Sequence, residues 1–187
     1  MPEQPEKRAL RQRFMALRDG LAPEDRDRWS RRICSLVGAL CEARGFTSLA
    51  AFWPLGSEVD LRPLAAAHPH WTFHFPRITA RTPPTLAWGT PPLGPGAWGL
   101  SEPLEAPWPL PPVQLLLAPG LAFAEDGHRL GYGRGFYDAT LARLSPDVAT
   151  LGTGFACQRC AALPVGPTDL PLQGFVDQDG ITWFTPA

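Results

Sequence analysis

The chain has 187 residues, of which 44% are hydrophobic and 19% charged, values typical of one globular domain of ordinary size. Its formal net charge of −1 gives no bulk electrostatic basis for binding nucleic acid or an anionic membrane. No apolar run approaches the ~20 residues needed to span a bilayer, and the charged N-terminus lacks the apolar core of a signal peptide. We therefore expect a cytoplasmic protein with a single domain over residues 1–187.

Two helices are predicted at the start of the chain. Apolar residues at helical spacing predict an amphipathic helix over residues 5–19. Lys7 and Arg11 are four positions apart on it, so both can reach one target, although a solvated basic face is the alternative. Proline followed by acidic residues predicts a second helix over about 23–43, with Gly45 as its C-cap.

The next segments predict the beginning of a sheet. Residues 47–53 are continuously apolar, like strands that are buried on both faces of a parallel sheet. Glu58 follows at the carboxyl end of this strand, where open α/β sheets bind ligands. The alternative for Glu58 is an acid at the start of a short helix predicted over 61–67. Another strand is predicted over 71–75, broken by Pro76.

Residues 80–112 are rich in proline and glycine, with a brief strand predicted over 85–88. Flexible linkers rarely carry tryptophans such as Trp98 and Trp108, so we interpret the segment as an ordered cover. The apolar run over 113–118 then predicts a buried central strand.

The most distinctive stretch, RLGYGRGFYD, runs from Arg129 to Asp138 and precedes a helix predicted over 136–144. Such a glycine turn can point backbone N–H groups at an anion, and the helix N-terminus adds partial positive charge. Arg129 and Arg134 would add forked donors that suit phosphate. We interpret the stretch as a phosphate-binding loop, with Asp138 placed to hold a metal ion that the phosphates share. The alternative is a tight turn that merely joins two elements.

Strands are also predicted over 148–155, 174–176 and 181–184. Strands that alternate with helices indicate an α/β domain with a largely parallel sheet. Cys157 and Cys160 form a lone CxxC pair, which is weak evidence for a zinc or redox site.

Several segments recur together in an order that is typical of one family. They are residues 7–11 (KRALR), 58–61 (EVDL), 99–103 (GLSEP), 119–123 (PGLAF), 129–138 and 168–169 (TD). Together they resemble the 5-formyltetrahydrofolate cyclo-ligase (methenyltetrahydrofolate synthetase) family over nearly the whole chain. The resemblance implies a single-domain, three-layer α/β/α fold with a mostly parallel central sheet, Rossmann-like. It also implies ATP- and Mg²⁺-dependent cyclisation of 5-formyltetrahydrofolate to 5,10-methenyltetrahydrofolate, with release of ADP and phosphate.

The resemblance further implies roles for individual residues. Those matching ATP-binding positions are Lys7, Arg8, Arg11, Arg129, Leu130, Gly131, Tyr132, Gly133, Arg134, Gly135, Phe136 and Tyr137. Those matching substrate-binding positions are Trp53, Glu58, Tyr132, Gly133, Arg134, Gly135 and Phe136. Asp138 and Asp169 match the Mg²⁺ ligands.

Residue chemistry is consistent with these roles. Arg134 is the predicted catalytic residue, because an arginine there can follow charge as it develops in the transition state. The Glu58 carboxylate is expected to bind the amino and ring N–H edge of the pterin, while Trp53 packs on an aromatic face.

The implied reaction needs no side-chain nucleophile. Transfer of the ATP γ-phosphoryl group to the formyl oxygen creates a leaving group, and the folate N10 then attacks the activated carbon. Two alternatives stay open: an ATP-dependent enzyme of this fold that acts on another formyl or amide substrate, and a non-catalytic nucleotide- or folate-binding protein. We expect ATP and 5-formyltetrahydrofolate as partners, with no nucleic acid or membrane, and a monomer or a weak dimer.

Overall fold

The computed structural model describes residues 5–184; the ends of the predicted domain, 1–4 and 185–187, lie outside the described residues. The α-helices of this part are α1 (Pro5–Asp19), α2 (Pro23–Arg44), α3 (Arg62–Ala67) and α4 (Phe136–Leu141). The strands are β1 (Ser48–Ala50), β2 (Thr72–Arg81), β3 (Pro84–Gly89), β4 (Leu93–Pro95), β5 (Ser101–Pro103), β6 (Leu115–Pro119), β7 (Ala122–Ala124), β8 (Arg129–Leu130), β9 (Ala149–Thr153), β10 (Arg159–Cys160), β11 (Gly174–Asp177) and β12 (Gly180–Trp183). None of the described helices is long and apolar enough to cross a membrane.

A seven-stranded sheet in the order β12-β11-β9-β6-β1-β2-β3 forms the centre of the fold. The five strands from β11 to β2 run parallel, and an antiparallel strand is added at each edge. The predicted central strand is β6, the fourth of the seven. The mostly parallel sheet predicted from the sequence is therefore confirmed.

Side chains that alternate along the strands fill both faces of the sheet. Leu49 and Leu115 belong to the core cluster that includes residues of α2 and α3. Their neighbours Ala50 and Leu116 belong to a second cluster, against which residues of α4 pack. Helices therefore cover both faces, which confirms the three-layer arrangement.

The predicted helices and strands occur, but several boundaries differ. The strand predicted to break at Pro76 continues through that residue, and β2 extends to Arg81. Pro76 is paired with Trp88 of β3, whose N–H donates to the Trp108 carbonyl at 2.7 Å and whose carbonyl accepts from the Trp108 N–H at 3.2 Å. The backbone N–H and carbonyl of Trp88 are thus both bonded to Trp108. Proline has no N–H, but at this position no hydrogen bond between β2 and β3 depends on one.

Residues 80–112 include several short strands. They contain β3 and a hairpin in which β4 pairs antiparallel with β5, which the sequence did not predict. A small three-stranded sheet, in the order β10-β7-β8, was also missed. Its strand β8 leads directly into the glycine loop, residues 131–135.

Candidate active site

A cavity of about 640 Å³ lies at the carboxyl ends of β1 and β6, where Phe52 and Trp53 follow β1 and Pro119 ends β6. This volume is in the range that holds small-molecule ligands. With one exception, every residue predicted for the site lines it: Lys7, Arg11, Trp53, Glu58, Arg129, Leu130, Gly131, Tyr132, Gly133, Arg134, Gly135, Phe136, Tyr137, Asp138 and Asp169. The exception is Arg8, which is exposed on α1 and is not among the lining residues.

The glycine loop has the left-handed backbone that favours glycine at two positions. Gly133 has φ 82°, and Gly135 has φ 72° at the start of α4. Arg11 of α1 donates from Nε to the Gly131 carbonyl at 2.7 Å. Its guanidinium group also packs on Gly133, since a Cβ added there would lie 3.2 Å from Arg11 Cζ. The loop is therefore held by a cation from the N-terminal helix.

The two predicted metal ligands each pair with a cation in this structure. Arg129 donates from Nη1 to Asp138 Oδ1 at 3.1 Å, and its buried Nε has no acceptor among the described residues. Lys7 donates from Nζ to Asp169 Oδ2, which also accepts the Gly166 N–H at 2.7 Å. Partial burial alone would raise the pKa of Asp169, but the bonds from Lys7 and Gly166 outweigh it and lower the pKa.

These groups fit phosphates with Mg²⁺. Both carboxylates line the cavity, and Mg²⁺ commonly takes one or two carboxylates together with phosphate oxygens and water. The unpartnered Arg129 Nε is a further donor that suits a phosphate oxygen.

Glu58 belongs to a buried network that the sequence did not reveal. Its Oε1 accepts the Tyr132 hydroxyl at 2.6 Å, and its Oε2 accepts the Leu55 N–H at 2.9 Å. Arg18 of α1, only 4% exposed, donates to the same Tyr132 hydroxyl at 2.9 Å and lies 3.9 Å from Glu58 Oε1. Burial raises the pKa of Glu58, while the bonds from Tyr132 and Leu55 and the charge of Arg18 oppose the rise.

A signal for Arg18 was present in the sequence. Lys7, Arg11 and Arg18 are separated by four and seven residues, so that they share one face of a helix. Phe14, which is buried, lies on the same face. Cations at helical spacing around a buried aromatic residue indicate a face that packs inward while it carries charge.

The segment 80–112 supplies one wall of the cavity through Trp98. This non-glycine residue has φ 55°, a left-handed conformation. Its ring lies 5.2 Å from Arg134 Cζ and 6.3 Å from the Phe136 ring centroid. On the β1 side, Trp53 makes an edge contact with Phe75, with ring centroids 5.6 Å apart. The cavity is therefore flanked by aromatic rings on two sides.

A sequence model of the 5-formyltetrahydrofolate cyclo-ligase family matches residues 3–177. The chain belongs to this family. Membership confirms the family that the motifs predicted, and with it the prediction of an enzyme of the cyclo-ligase class.

Individual cyclo-ligases are also similar to this chain in sequence. The 5-formyltetrahydrofolate cyclo-ligase of Haemophilus influenzae is 27% identical over 150 residues, which cover 71% of this chain and 76% of that protein. The 5-formyltetrahydrofolate cyclo-ligase of Escherichia coli K12 is 43% identical over a shorter stretch of 70 residues, 36% of this chain and 38% of that protein.

Two solved structures share the fold. The 5,10-methenyltetrahydrofolate synthetase of Aquifex aeolicus, solved by NMR, has a TM-score of 0.82 at 29% identity, covering 97% of this chain and 94% of its own. The Mycoplasma pneumoniae 5,10-methenyltetrahydrofolate synthetase has a TM-score of 0.72 at 20% identity, covering 92% of this chain and 99% of its own. At this identity the similarity supports the fold alone.

The CxxC pair lies outside this cavity. Cys157 and Cys160 are free thiols, and burial raises the pKa of each. Within residues 5–184 no group of three or more metal-ligating side chains occurs. A raised pKa disfavours the thiolate that metal binding and redox chemistry require.

Proposed function

We propose that this chain converts 5-formyltetrahydrofolate and ATP into 5,10-methenyltetrahydrofolate, ADP and phosphate. The observation that supports this most is the grouping of basic side chains and aromatic walls in one cavity, within a member of the cyclo-ligase family. A reaction between two bound substrates needs such a shared cavity.

The cationic groups would receive the triphosphate. Lys7, Arg11 and Arg129 all line the cavity. Arg11 donates to the Gly131 carbonyl of the glycine loop, while Lys7 pairs with Asp169 and Arg129 with Asp138. Arg134, which lines the cavity beside Trp98, would stabilise the negative charge on the γ-phosphoryl group while it moves. Asp138 and Asp169 would hold Mg²⁺, which would neutralise phosphate charge when bound.

The aromatic side of the cavity would receive the folate, with Trp53, Phe136 and Trp98 against its rings and Glu58 close to Tyr132. The formyl oxygen takes the γ-phosphoryl group, and ADP leaves. N10 then attacks the formyl carbon and loses its proton, and the C–O bond breaks with release of phosphate. The protein's task is to hold the two substrates in line and exclude water.

Absorbance at the methenyl-folate band tests the proposal, with the purified protein, ATP, Mg²⁺ and 5-formyltetrahydrofolate supplied and ADP measured in parallel. We expect the band and ADP to appear together. ADP release only with another formyl or amide compound would favour a different ATP-dependent enzyme. Tight binding of folate or ATP without product would indicate a binding protein, and either result would contradict the proposal.

Asp138→Asn probes the metal assignment, because asparagine keeps an oxygen for Arg129 but loses the charge that binds Mg²⁺. We expect turnover to fall by about a hundredfold or more and the Mg²⁺ requirement to rise. The exposed Asp147→Asn is the matched control and should behave like wild type. Full activity of Asp138→Asn at low Mg²⁺, with an unchanged circular dichroism spectrum, would remove Asp138 from the metal site.

A further inference from the structure

Glu102 is a buried carboxylate that lines the cavity and has no predicted role. It lies on β5, within residues 80–112, and is 8% exposed. Its backbone pairs with Gly94 in the β4–β5 hairpin, and its Oε1 accepts the Ile78 N–H of β2 at 3.3 Å. The hairpin and β2 therefore fix the position of this carboxylate at the wall.

The second oxygen of Glu102 is left without a partner. Oε2 lies beside Gly96, where an added Cβ would be 2.6 Å from it, so the glycine makes room for the carboxylate. No hydrogen bond to Oε2 and no ion pair with Glu102 occurs among residues 5–184. Because Glu102 lines the cavity and Oε2 accepts nothing from the described residues, this oxygen is open to hydrogen-bond donors of a ligand bound there.

Glu58, the carboxylate expected to bind the pterin edge, is in the opposite condition. Both of its oxygens already accept hydrogen bonds, from Tyr132 and from the Leu55 N–H. Arg18, 3.9 Å away, supplies an opposing charge. Glu58 is thus satisfied within the protein, whereas Glu102 is not.

The surroundings of Glu102 indicate what the missing donors belong to. A buried carboxylate repels phosphates and carboxylates but accepts N–H groups. Ile78, Leu100 and Phe136 line the same cavity and offer apolar surface to a flat ring. A pteridine presents an amino group and a ring N–H side by side, and these two donors match the two oxygens of one carboxylate.

We propose that Glu102, rather than Glu58, receives the amino and ring N–H edge of the folate pteridine. This assignment rests on the proposed function, since it concerns how the same cavity holds its folate. Glu58 then acts through Tyr132, which it orients in the glycine loop.

The test compares 5-formyltetrahydrofolate with its 2-desamino analogue, which lacks the proposed donor. Binding of each is measured by quenching of tryptophan fluorescence, without ATP, on the full-length protein. In the wild type the analogue should bind about tenfold or more weakly. In Glu102→Gln, binding of 5-formyltetrahydrofolate should weaken to a similar degree, and the two ligands should then differ by only about twofold. The KM for ATP should stay near the wild-type value.

Two further variants make the result decisive. Gly96→Ala has an extended backbone that alanine tolerates, but its Cβ would displace the Glu102 carboxylate. It should therefore copy the effect of Glu102→Gln without a charge change. Glu105→Gln, on an exposed residue of the same segment, is the matched control and should leave both affinities unchanged.

The assignment is overturned if the analogue is still discriminated in Glu102→Gln but no longer in Glu58→Gln. It is equally overturned if Glu102→Gln weakens ATP rather than folate, because the adenine amino group would then be the donor. Failure of the proposed function looks different: the wild type itself would form no 5,10-methenyltetrahydrofolate from 5-formyltetrahydrofolate and ATP, whichever variant discriminates the analogue.

Discussion

Arg18 joins three parts of the site through one buried side chain. It reaches Ser57 at 2.8 Å, the Tyr132 hydroxyl at 2.9 Å and the vicinity of Glu58, so α1, the segment after β1 and the glycine loop meet on it. Burial raises the pKa of Glu58, and the bonds from Tyr132 and the Leu55 N–H, followed by this nearby positive charge, oppose the rise. Arg18 therefore positions the groups around the folate without being predicted to touch it.

Replacing Arg18 should change the pH dependence of the reaction. Burial already raises the pKa of Glu58, and loss of the opposing Arg18 charge raises it further. If turnover needs ionised Glu58, the acidic limb of kcat/KM for the folate moves to higher pH in Arg18→Met. Arg18→Lys, which restores the charge without the forked donors, should move it less.

The measurement is a pH–rate profile for each variant, in which kcat and KM are determined separately. Each profile is recorded at a temperature below the melting temperature of that variant. Arg13→Met, on an exposed arginine of the same helix, is the control. A purely structural role for Arg18 would lower stability and leave the acidic limb where it is in the wild type, and this outcome would contradict the positioning role.

At the scale of elements, the glycine loop can be tested by three equivalent substitutions. Gly131 has open space at its Cβ position and no left-handed φ. Gly133 and Gly135 both have positive φ, and Gly133 also lies against Arg11. Alanine should thus cost about 1–2 kcal/mol at 133 and 135, and little at 131.

Thermal melting should therefore fall by about 2–8 °C for Gly133→Ala and Gly135→Ala but stay near wild type for Gly131→Ala. Because its Cβ displaces Arg11, Gly133→Ala should in addition raise the KM for ATP more than Gly135→Ala does. Equal losses of stability for all three variants would contradict the backbone explanation.

Local sequence signals predicted the helices and strands whose ends or burial are determined by residues within the element or next to it. Helix α2 begins at a proline and ends before Gly45, which has φ 67° and donates to the carbonyls of Cys41 and Glu42. Strand β6 was predicted from its continuous apolar run. Both predictions depended on residues within the element itself.

The features that were missed depend on contacts between distant segments. Strand β2 passes through Pro76 because Trp88, its partner, is hydrogen-bonded to Trp108 instead. The β4–β5 hairpin is only three residues per strand, too short for a periodic pattern. Nothing local to Glu102 shows that its side chain turns inward over Gly96. The motifs therefore predicted most of the lining residues, but not the bonds that connect them.

At the scale of the whole molecule, the cavity closes between distant parts of the chain. Lys7 of α1 and Asp169 of the loop before β11 are 162 positions apart and meet at its edge. Arg11 and Arg18 fix the same helix to the glycine loop and to the segment after β1. The docking of α1 thus completes the site.

The pair of Lys7 with Asp169 should stabilise the fold only while Asp169 is ionised. The pKa of Asp169 is lowered from its usual 3.8 in the folded chain, so the stabilisation is complete above about pH 4 and is lost as the pH falls through the lower, folded value. At pH 7 we expect Asp169→Asn to lower the melting temperature by about 2–4 °C, which corresponds to about 1 kcal/mol for a partly buried ion pair.

Urea unfolding midpoints between pH 3 and pH 7 check the sign of this effect. The difference between wild type and Asp169→Asn should shrink towards pH 3, and Lys7→Met should follow the same course, because each variant removes one partner of the same pair. Asp25→Asn is the control, since Asp25 pairs with Arg28 on an exposed surface of α2 and should shift the midpoint less. A difference that persists unchanged at pH 3 would mean that Asp169 stabilises the chain through its bond with Gly166 and not through its charge. In that case the charge of Lys7 would add little to the docking of α1, which Arg11, Arg18 and the buried Phe14 would hold.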